Sequence, residues 1–90
     1  MAKYRLLIKP SAAKEIDTVD SKKDRQRIVS RIRGLATAPR PSGSEKLAGV
    51  EGRYRLRQGS YRIIYAVDDR AQVVEMVKVG HRREVYRNTT

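Results

Sequence analysis

The feature that most constrains the fold is an alternation of period two that begins at Arg53 and is interrupted by Gly59-Ser60. Two strand-like runs separated by two turn residues predict a β-hairpin, and glycine in the first turn position favours a type II′ turn. That turn fixes the pairing register and sets Arg57 opposite Arg62. Because a shift of one residue would exchange the two faces of the sheet, the turn determines which side chains can enter the core.

The predicted register divides the hairpin side chains between two faces. One face is apolar and suited to cover helices, and it carries Tyr54, Leu56, Ile63 and Tyr65. The other face is basic, with no acidic residue among its members, and it carries Arg53, Arg55, Arg57 and Arg62. Like charges directly opposite each other destabilise an antiparallel pair, so the pairing of Arg57 with Arg62 indicates an anionic partner. A guanidinium group can donate two parallel hydrogen bonds to phosphate oxygens, which makes this face a candidate phosphate-binding site. The alternative is a basic edge that only deters aggregation.

The remaining sequence predicts an α+β fold. An N-terminal strand and two helices pack on one face of a small, mainly antiparallel four-stranded sheet. The first strand is expected in residues 3–9 and a short helix in 12–19. A second helix begins at the capping serine Ser21 and runs to about residue 36. Residues 39–44 are rich in Pro, Ser and Gly and form a surface linker. After the hairpin, residues 72–79 form a last strand, apolar on both faces and therefore central in the sheet.

Composition limits the classes of partner and site. Ninety residues fit one domain, 1–90, and 21 Lys and Arg against 10 Asp and Glu give a net charge of +11. Such a surface attracts polyanions, whether nucleic acid, ribosome, acidic protein or anionic membrane. The chain has no cysteine and one histidine, so we expect no disulfide, metal or cofactor and a cytoplasmic location. The longest apolar run is too short to span a bilayer, which disfavours membrane insertion.

The last strand leads into a segment that carries further candidates for chemistry, namely His81, Arg82, Arg83 and Tyr86. RNA supplies its own nucleophile, because its 2′-OH can attack the adjacent phosphate once a base removes the proton. Imidazole exchanges protons near neutral pH, so His81 is the candidate proton carrier, although a lone histidine is more often a surface or packing residue. Tyr86 is a candidate for stacking on a base or for anchoring the C-terminal segment.

Four blocks in a fixed order carry a resemblance to a known family. They are Lys46-Leu47-Ala48-Gly49, Tyr54-Arg55-Leu56-Arg57, Gly59-Ser60-Tyr61-Arg62-Ile63-Ile64-Tyr65 and Val79-Gly80-His81-Arg82-Arg83-Glu84-Val85-Tyr86. With the order of strand and helices before them, they resemble the RelE toxins of the RelE/ParE superfamily over nearly the whole chain. The resemblance implies the toxin of a toxin–antitoxin system, an endoribonuclease that cuts messenger RNA in the ribosomal A site. It also implies a cognate antitoxin and the mRNA-bound ribosome as partners, with no membrane and no small-molecule cofactor.

The resemblance assigns roles to individual residues. Arg62 and Arg82 match family arginines that stabilise the scissile phosphate, and Tyr86 matches a tyrosine that orients the substrate or stacks on it. Three further basic residues are expected to contact the RNA, namely Lys46, Arg53 and Arg83.

Three positions differ from the best-known member of the family. Arg55 and Arg57 stand where that member has lysines, and His81 also stands at a lysine position. Guanidinium keeps the positive charge but stays protonated, so Arg55 and Arg57 are poor proton carriers. We therefore expect Arg55 and Arg57 to contribute to catalysis through their charge, with His81 as the conditional proton carrier.

Two other functions are compatible with this sequence. A ParE-like toxin would share the fold but would inhibit DNA gyrase by binding the protein, without cutting RNA. A non-catalytic RNA-binding module would account for the net charge without any enzyme. A surface on which Arg, His and Tyr converge favours the nuclease.

Overall fold

The computed structural model describes residues 3–81, which form two helices and one five-stranded sheet. The elements are β1 (Arg5–Ile8), α1 (Pro10–Asp17), α2 (Lys22–Gly34), β2 (Ser44–Lys46), β3 (Arg53–Gln58), β4 (Tyr61–Asp68) and β5 (Val73–His81). The strands lie in the order β1-β5-β4-β3-β2, and only β1 and β5 run parallel. The predicted α+β class with a mainly antiparallel sheet is confirmed, and β5 is an internal strand as expected.

The sheet has one strand more than the sequence predicts. The additional strand is β2, whose three residues pair with β3 at the edge of the sheet. Three residues are too few to show an alternating pattern, so nothing in the local sequence distinguishes β2 from the linker before it. The strand forms because β3 offers it an open edge.

Both helices begin where the local sequence can satisfy their first free N–H groups. Pro10 occupies the first turn of α1, where its fixed φ and missing N–H are tolerated. The Ser21 hydroxyl accepts a hydrogen bond from the backbone N–H of Asp24 at 3.2 Å, so the predicted cap of α2 is confirmed. Within residues 3–81, no helix is long and apolar enough to cross a membrane.

The hairpin between β3 and β4 has the predicted register, with Arg57 opposite Arg62. Gly59 has a φ of +60°, and Ser60 is not among the described residues of positive φ. A positive φ at the first turn position alone is the signature of a type II′ turn. The turn therefore fixes the two faces of the sheet as the sequence predicted.

One face of the sheet packs against the helices and forms the core; we call it the helix face. Leu56, Ile63 and Tyr65 contribute from the hairpin, and each is at most 1% exposed. The other buried apolar residues that join them are Ala12, Ile16, Val19, Ile28, Ile32, Leu35, Val74, Met76 and Val79. The opposite face carries Arg53, Arg55, Arg57 and Arg62 and is called the arginine face below. The main hydrophobic cluster thus lies on the helix face, while Ile64, 3% exposed, is buried on the arginine face.

A β-bulge in β5 changes which of its side chains reach the arginine face. Ile64 pairs with Lys78 while Tyr65 pairs with Met76, so Val77 is the extra residue. Before the bulge Glu75 shares a face with Ala66, and after it Lys78 shares the same face with Ile64. The strand is therefore not apolar on both faces as the sequence predicted, because the bulge places Lys78 on the arginine face.

The Glu15 carboxylate covers the part of the β5 edge that β1 does not reach. β1 ends opposite Met76, and the next free edge N–H is satisfied by α1. Glu15 Oε1 accepts from the backbone N–H of Val79 at 2.9 Å, and Oε2 accepts from Nζ of Lys78 at 2.6 Å. A charge-assisted hydrogen bond at this position holds α1 against β5 just after the bulge.

A polar network fastens the linker after α2 to the β4–β5 turn. Asp69 accepts from the Tyr4 hydroxyl at 2.7 Å and from Arg40, whose guanidinium also lies over the Tyr54 ring at 5.3 Å. The Tyr4 and Arg40 hydrogen bonds lower the pKa of the Asp69 carboxyl. Nearby, the Tyr65 hydroxyl donates to the carbonyl of Pro39 at 2.8 Å, and burial raises the pKa of this tyrosine.

We predict that Ser21→Ala lowers the free energy of unfolding by about 1 kcal/mol, because the N–H of Asp24 loses its acceptor. Urea unfolding followed by circular dichroism measures the change. Ser30→Ala is the matched control, since Ser30 is exposed in the interior of the same helix, where alanine is the better helix former. Equal destabilisation by both substitutions would contradict the role of the cap.

We also predict that Asp69 contributes to the acid sensitivity of the protein. Its folded pKa lies below the ordinary value of 3.8, so its contribution is present above that pH and is lost as the pH falls through the folded pKa. Asp69→Asn should make the fall of the urea midpoint below about pH 4 shallower. Asp20→Asn, at an exposed aspartate between the helices, should leave the slope unchanged. Equal acid slopes in wild type and Asp69→Asn would contradict the prediction.

Candidate functional site

The arginine face consists of three cross-strand rows of side chains, because directly paired residues share a face. The pairings on β3, β4 and β5 give the rows Arg57-Arg62-Gly80, Arg55-Ile64-Lys78 and Arg53-Ala66-Glu75. Glu45 of β2 extends the middle row. Four arginines and a lysine therefore converge on one face.

Arg62 lies on the middle strand β4, in the row nearest the β3–β4 turn, and is nearly buried. It is only 4% exposed, which is rare for a charged residue, and its Nη1 lies 3.5 Å from the carbonyl oxygen of Tyr61. Arg57, directly opposite, is exposed. This row therefore holds one nearly buried guanidinium group and one exposed guanidinium group on neighbouring strands.

Arg55 has an acidic neighbour that an anionic ligand can replace. Its guanidinium lies 3.2 Å from a carboxylate oxygen of Glu45, whose side chain is 66% exposed. An ion pair this open to solvent contributes at most about 1 kcal/mol. Phosphate can therefore compete with Glu45 for Arg55 at small cost.

His81 does not lie beside the arginines, which corrects the expected placement of the proton carrier. It pairs with Tyr61, and both residues belong to the helix face, on the opposite side of the sheet from Arg62. The two rings meet edge to face with centroids 5.9 Å apart. His81 packs against Tyr61, and its role in proton transfer stays a prediction.

The other predicted residues fall into two groups. Lys46 pairs with Tyr54 and so lies on the helix face, apart from the arginine face, and its contact with RNA stays a prediction. Arg53 lies on the arginine face as predicted. Arg82, Arg83 and Tyr86 lie outside the described residues.

The sequence analysis missed the pair formed by Glu15 and Lys78. Lys78 is 20% and Glu15 29% exposed, so the pair is partly shielded from solvent at the border of the arginine face. The alternation Val77-Lys78-Val79 was the available signal, since it places a lone lysine between apolar neighbours. The sequence alone does not show the bulge at Val77, so it could not show on which face of the sheet Lys78 lies. Among residues 3–81, no cluster of acidic and histidine side chains is suited to hold a metal ion.

Comparison with known proteins identifies the family. A family model for the ParE toxin of the type II toxin–antitoxin system parDE matches residues 6–86. This chain belongs to that toxin family. The resemblance to the RelE/ParE superfamily is thereby confirmed, and the protein is the toxin of a type II system.

Relatives within the superfamily carry RelE names. The toxin RelE of Mycobacterium tuberculosis is 27% identical over 84 residues, which cover 93% of this chain and 87% of that protein. The toxin RelG of the same organism is 32% identical over 53 residues, 59% of this chain and 61% of RelG. The structure of the archaeal RelE–RelB complex from Pyrococcus horikoshii superimposes with a TM-score of 0.79 at 29% identity, covering 91% of this chain and 97% of the solved one. The toxin therefore has a RelE-like fold.

We predict that Arg57→Gln stabilises the folded toxin, because it removes a like charge placed directly opposite Arg62. The free energy of unfolding in low salt should rise by about 0.2–1 kcal/mol, and added salt should reduce the difference by screening. Arg27→Gln, on the exposed side of α2, controls for the change in net charge. A stability loss in Arg57→Gln at low salt would show that the pair is not repulsive.

Proposed function

We propose that this toxin is a ribosome-dependent endoribonuclease that cuts messenger RNA in the A site, with the arginine face as its phosphate-binding surface. The observation that carries the proposal is the pairing of Arg57 with Arg62 next to Arg55, which gathers three guanidinium groups on one face of the sheet. Guanidinium groups match phosphate oxygens in charge and geometry, so this cluster is suited to bind the RNA backbone.

In the proposed reaction the 2′-OH of one nucleotide attacks the adjacent phosphorus, and the bond to the 5′ oxygen of the next nucleotide breaks. The products are a 2′,3′-cyclic phosphate and a free 5′-OH, and the proton lost by the 2′-OH is balanced by one gained by the leaving oxygen. Arg62 and Arg55 stabilise the additional negative charge on the phosphoryl oxygens. Arg82 and Tyr86 complete the site in this proposal, through phosphate contact and base stacking.

A cognate antitoxin is the second proposed partner. The related toxin from Pyrococcus horikoshii was solved as a complex with RelB, and a toxin of net charge +11 offers a complementary surface to an acidic protein. We expect the antitoxin to lay an amphipathic or extended segment on the toxin and to bring acidic groups near the arginines.

The test is mRNA cleavage in a translating extract. Arg62→Ala and Arg82→Ala should each slow cleavage about 100-fold or more, as expected when one charge-stabilising group is removed from a transition state. Arg62→Lys keeps a positive charge at the buried position and distinguishes loss of charge from loss of folding. Arg27→Ala on α2 serves as the control with the same change in net charge and should cleave normally.

Inhibition of DNA gyrase is the competing outcome, because the matching family model is that of ParE. A supercoiling assay with purified gyrase runs beside the cleavage assay. Loss of supercoiling with intact mRNA would refute the nuclease proposal. If Arg62→Ala and Arg82→Ala both still cleave mRNA normally, the nuclease proposal stands but the proposed site is wrong.

A further inference from the structure

A groove of about 320 Å³ opens at the border of the arginine face, between α1, the β2–β3 loop and β5. That volume falls at the lower end of the range of roughly 300–1,000 Å³ that is typical of small-molecule sites. Polar side chains line one part of it, namely Ser11, Glu15, Arg53 and Lys78, and apolar side chains line the rest, namely Leu47, Val50, Ile64 and Val77. The groove combines a flat apolar surface with a few polar groups, as ligand sites do.

The Glu15 carboxylate in this groove has unused capacity to accept hydrogen bonds. Its two oxygens offer about four lone-pair directions, and the bonds from Lys78 and Val79 occupy two of them. Those two bonds also fix the orientation of the carboxylate, so a ligand meets an acceptor whose position is already set. A carboxylate accepts a hydrogen bond from the amino group of a base, as Glu and Asp do from cytosine, and repels carbonyl oxygens at the same edge.

The apolar side of the groove has an exposed residue that a planar ligand would cover. Val50, at the rim, is 43% exposed and is one of three large apolar residues exposed to this degree in the described chain. Ile64, in contrast, is 3% exposed and closes the floor. A flat ring placed against Ile64 would bury Val50 as well, which favours binding by removing apolar surface from water.

The groove adjoins the proposed phosphate-binding surface. Arg53 lines the groove and also belongs to the arginine face, and Lys78 lies in the same cross-strand row as Arg55. The base of a nucleotide whose phosphate contacts these cations can therefore enter the groove while the RNA backbone stays on the arginine face. Single-stranded RNA is read in this way, with unstacked bases held on their hydrogen-bonding edges.

We propose that this groove is a base-selecting subsite that accepts one unpaired base of the RNA strand and favours bases with an amino group over uracil. Glu15 accepts the hydrogen bond from that amino group, and Lys78 holds the carboxylate in place. The inference rests on the nuclease function proposed above and adds a specificity determinant to it.

The test compares the binding of two short RNAs, hexacytidylate and hexauridylate, by fluorescence anisotropy at low salt. Cytosine and uracil are rings of the same size. Cytosine has an amino group beside an unprotonated ring nitrogen, whereas uracil has a ring N–H flanked by two carbonyl oxygens that repel a carboxylate. Wild type should bind the cytosine strand about two- to tenfold more tightly, the worth of one hydrogen bond. Glu15→Gln should remove the difference, because an amide both donates and accepts and so serves either base.

Ser11→Trp tests the groove without touching the carboxylate. Ser11 is exposed at the start of α1 and lines the groove. A tryptophan at this position should fill the groove, so that the toxin binds both RNAs more weakly and with equal affinity. Ala13→Trp, at an exposed position on the same helix that does not line the groove, is the matched control and should behave as wild type. Unfolding curves of all variants separate loss of binding from loss of folding.

The experiments distinguish failure of the groove proposal from failure of the nuclease proposal. A toxin that cleaves mRNA but binds both RNAs equally would refute the base-selecting groove and leave the nuclease proposal standing. A preference for cytosine that survives Ser11→Trp and Glu15→Gln would assign selectivity to another part of the protein and would also refute the groove. A toxin that neither cleaves mRNA nor binds either RNA would refute both proposals together.

Discussion

The register between β3 and β4 is the constraint on which the rest of this structure depends. A two-residue turn with Gly59 at a φ of +60° leaves only one pairing, and that pairing sorts every hairpin side chain to one side of the sheet or the other. A shift of one residue would bury the arginines and expose Leu56, Ile63 and Tyr65. The hydrophobic core and the charged surface are thus two results of a single local geometry.

The arginine face links the stability of this small protein to the binding of an anionic partner. Ninety residues bury about two-thirds of the surface of the unfolded chain, and the main hydrophobic cluster lies on the helix face. The other side carries opposed guanidinium groups, and Arg62 is almost fully buried there. A polyanion that binds this surface of the folded state would stabilise that state, so binding and stability are linked.

Sequence analysis succeeded for features that depend on neighbours in the chain. The hairpin register, the Ser21 cap and the position of Arg53, Arg55 and Arg57 all follow from local pattern. Sequence analysis failed for features that depend on pairing between elements distant in the sequence. The strand β2 exists because β3 has an open edge, and the bulge at Val77 turns Lys78 toward the arginines. His81 sits at the end of β5, and only its pairing with Tyr61 reveals that it belongs to the helix face.

The parallel pairing of β1 with β5 joins the two ends of the described chain, since Arg5 pairs with Val73. Contacts so distant in sequence form late and slow the folding of small domains. While the toxin is being synthesised, β1 has no partner and α1 has no strand edge to cover until β5 has left the ribosome. The sheet therefore cannot be completed until β5 has been synthesised, and the two strands made first and last among those described close it together.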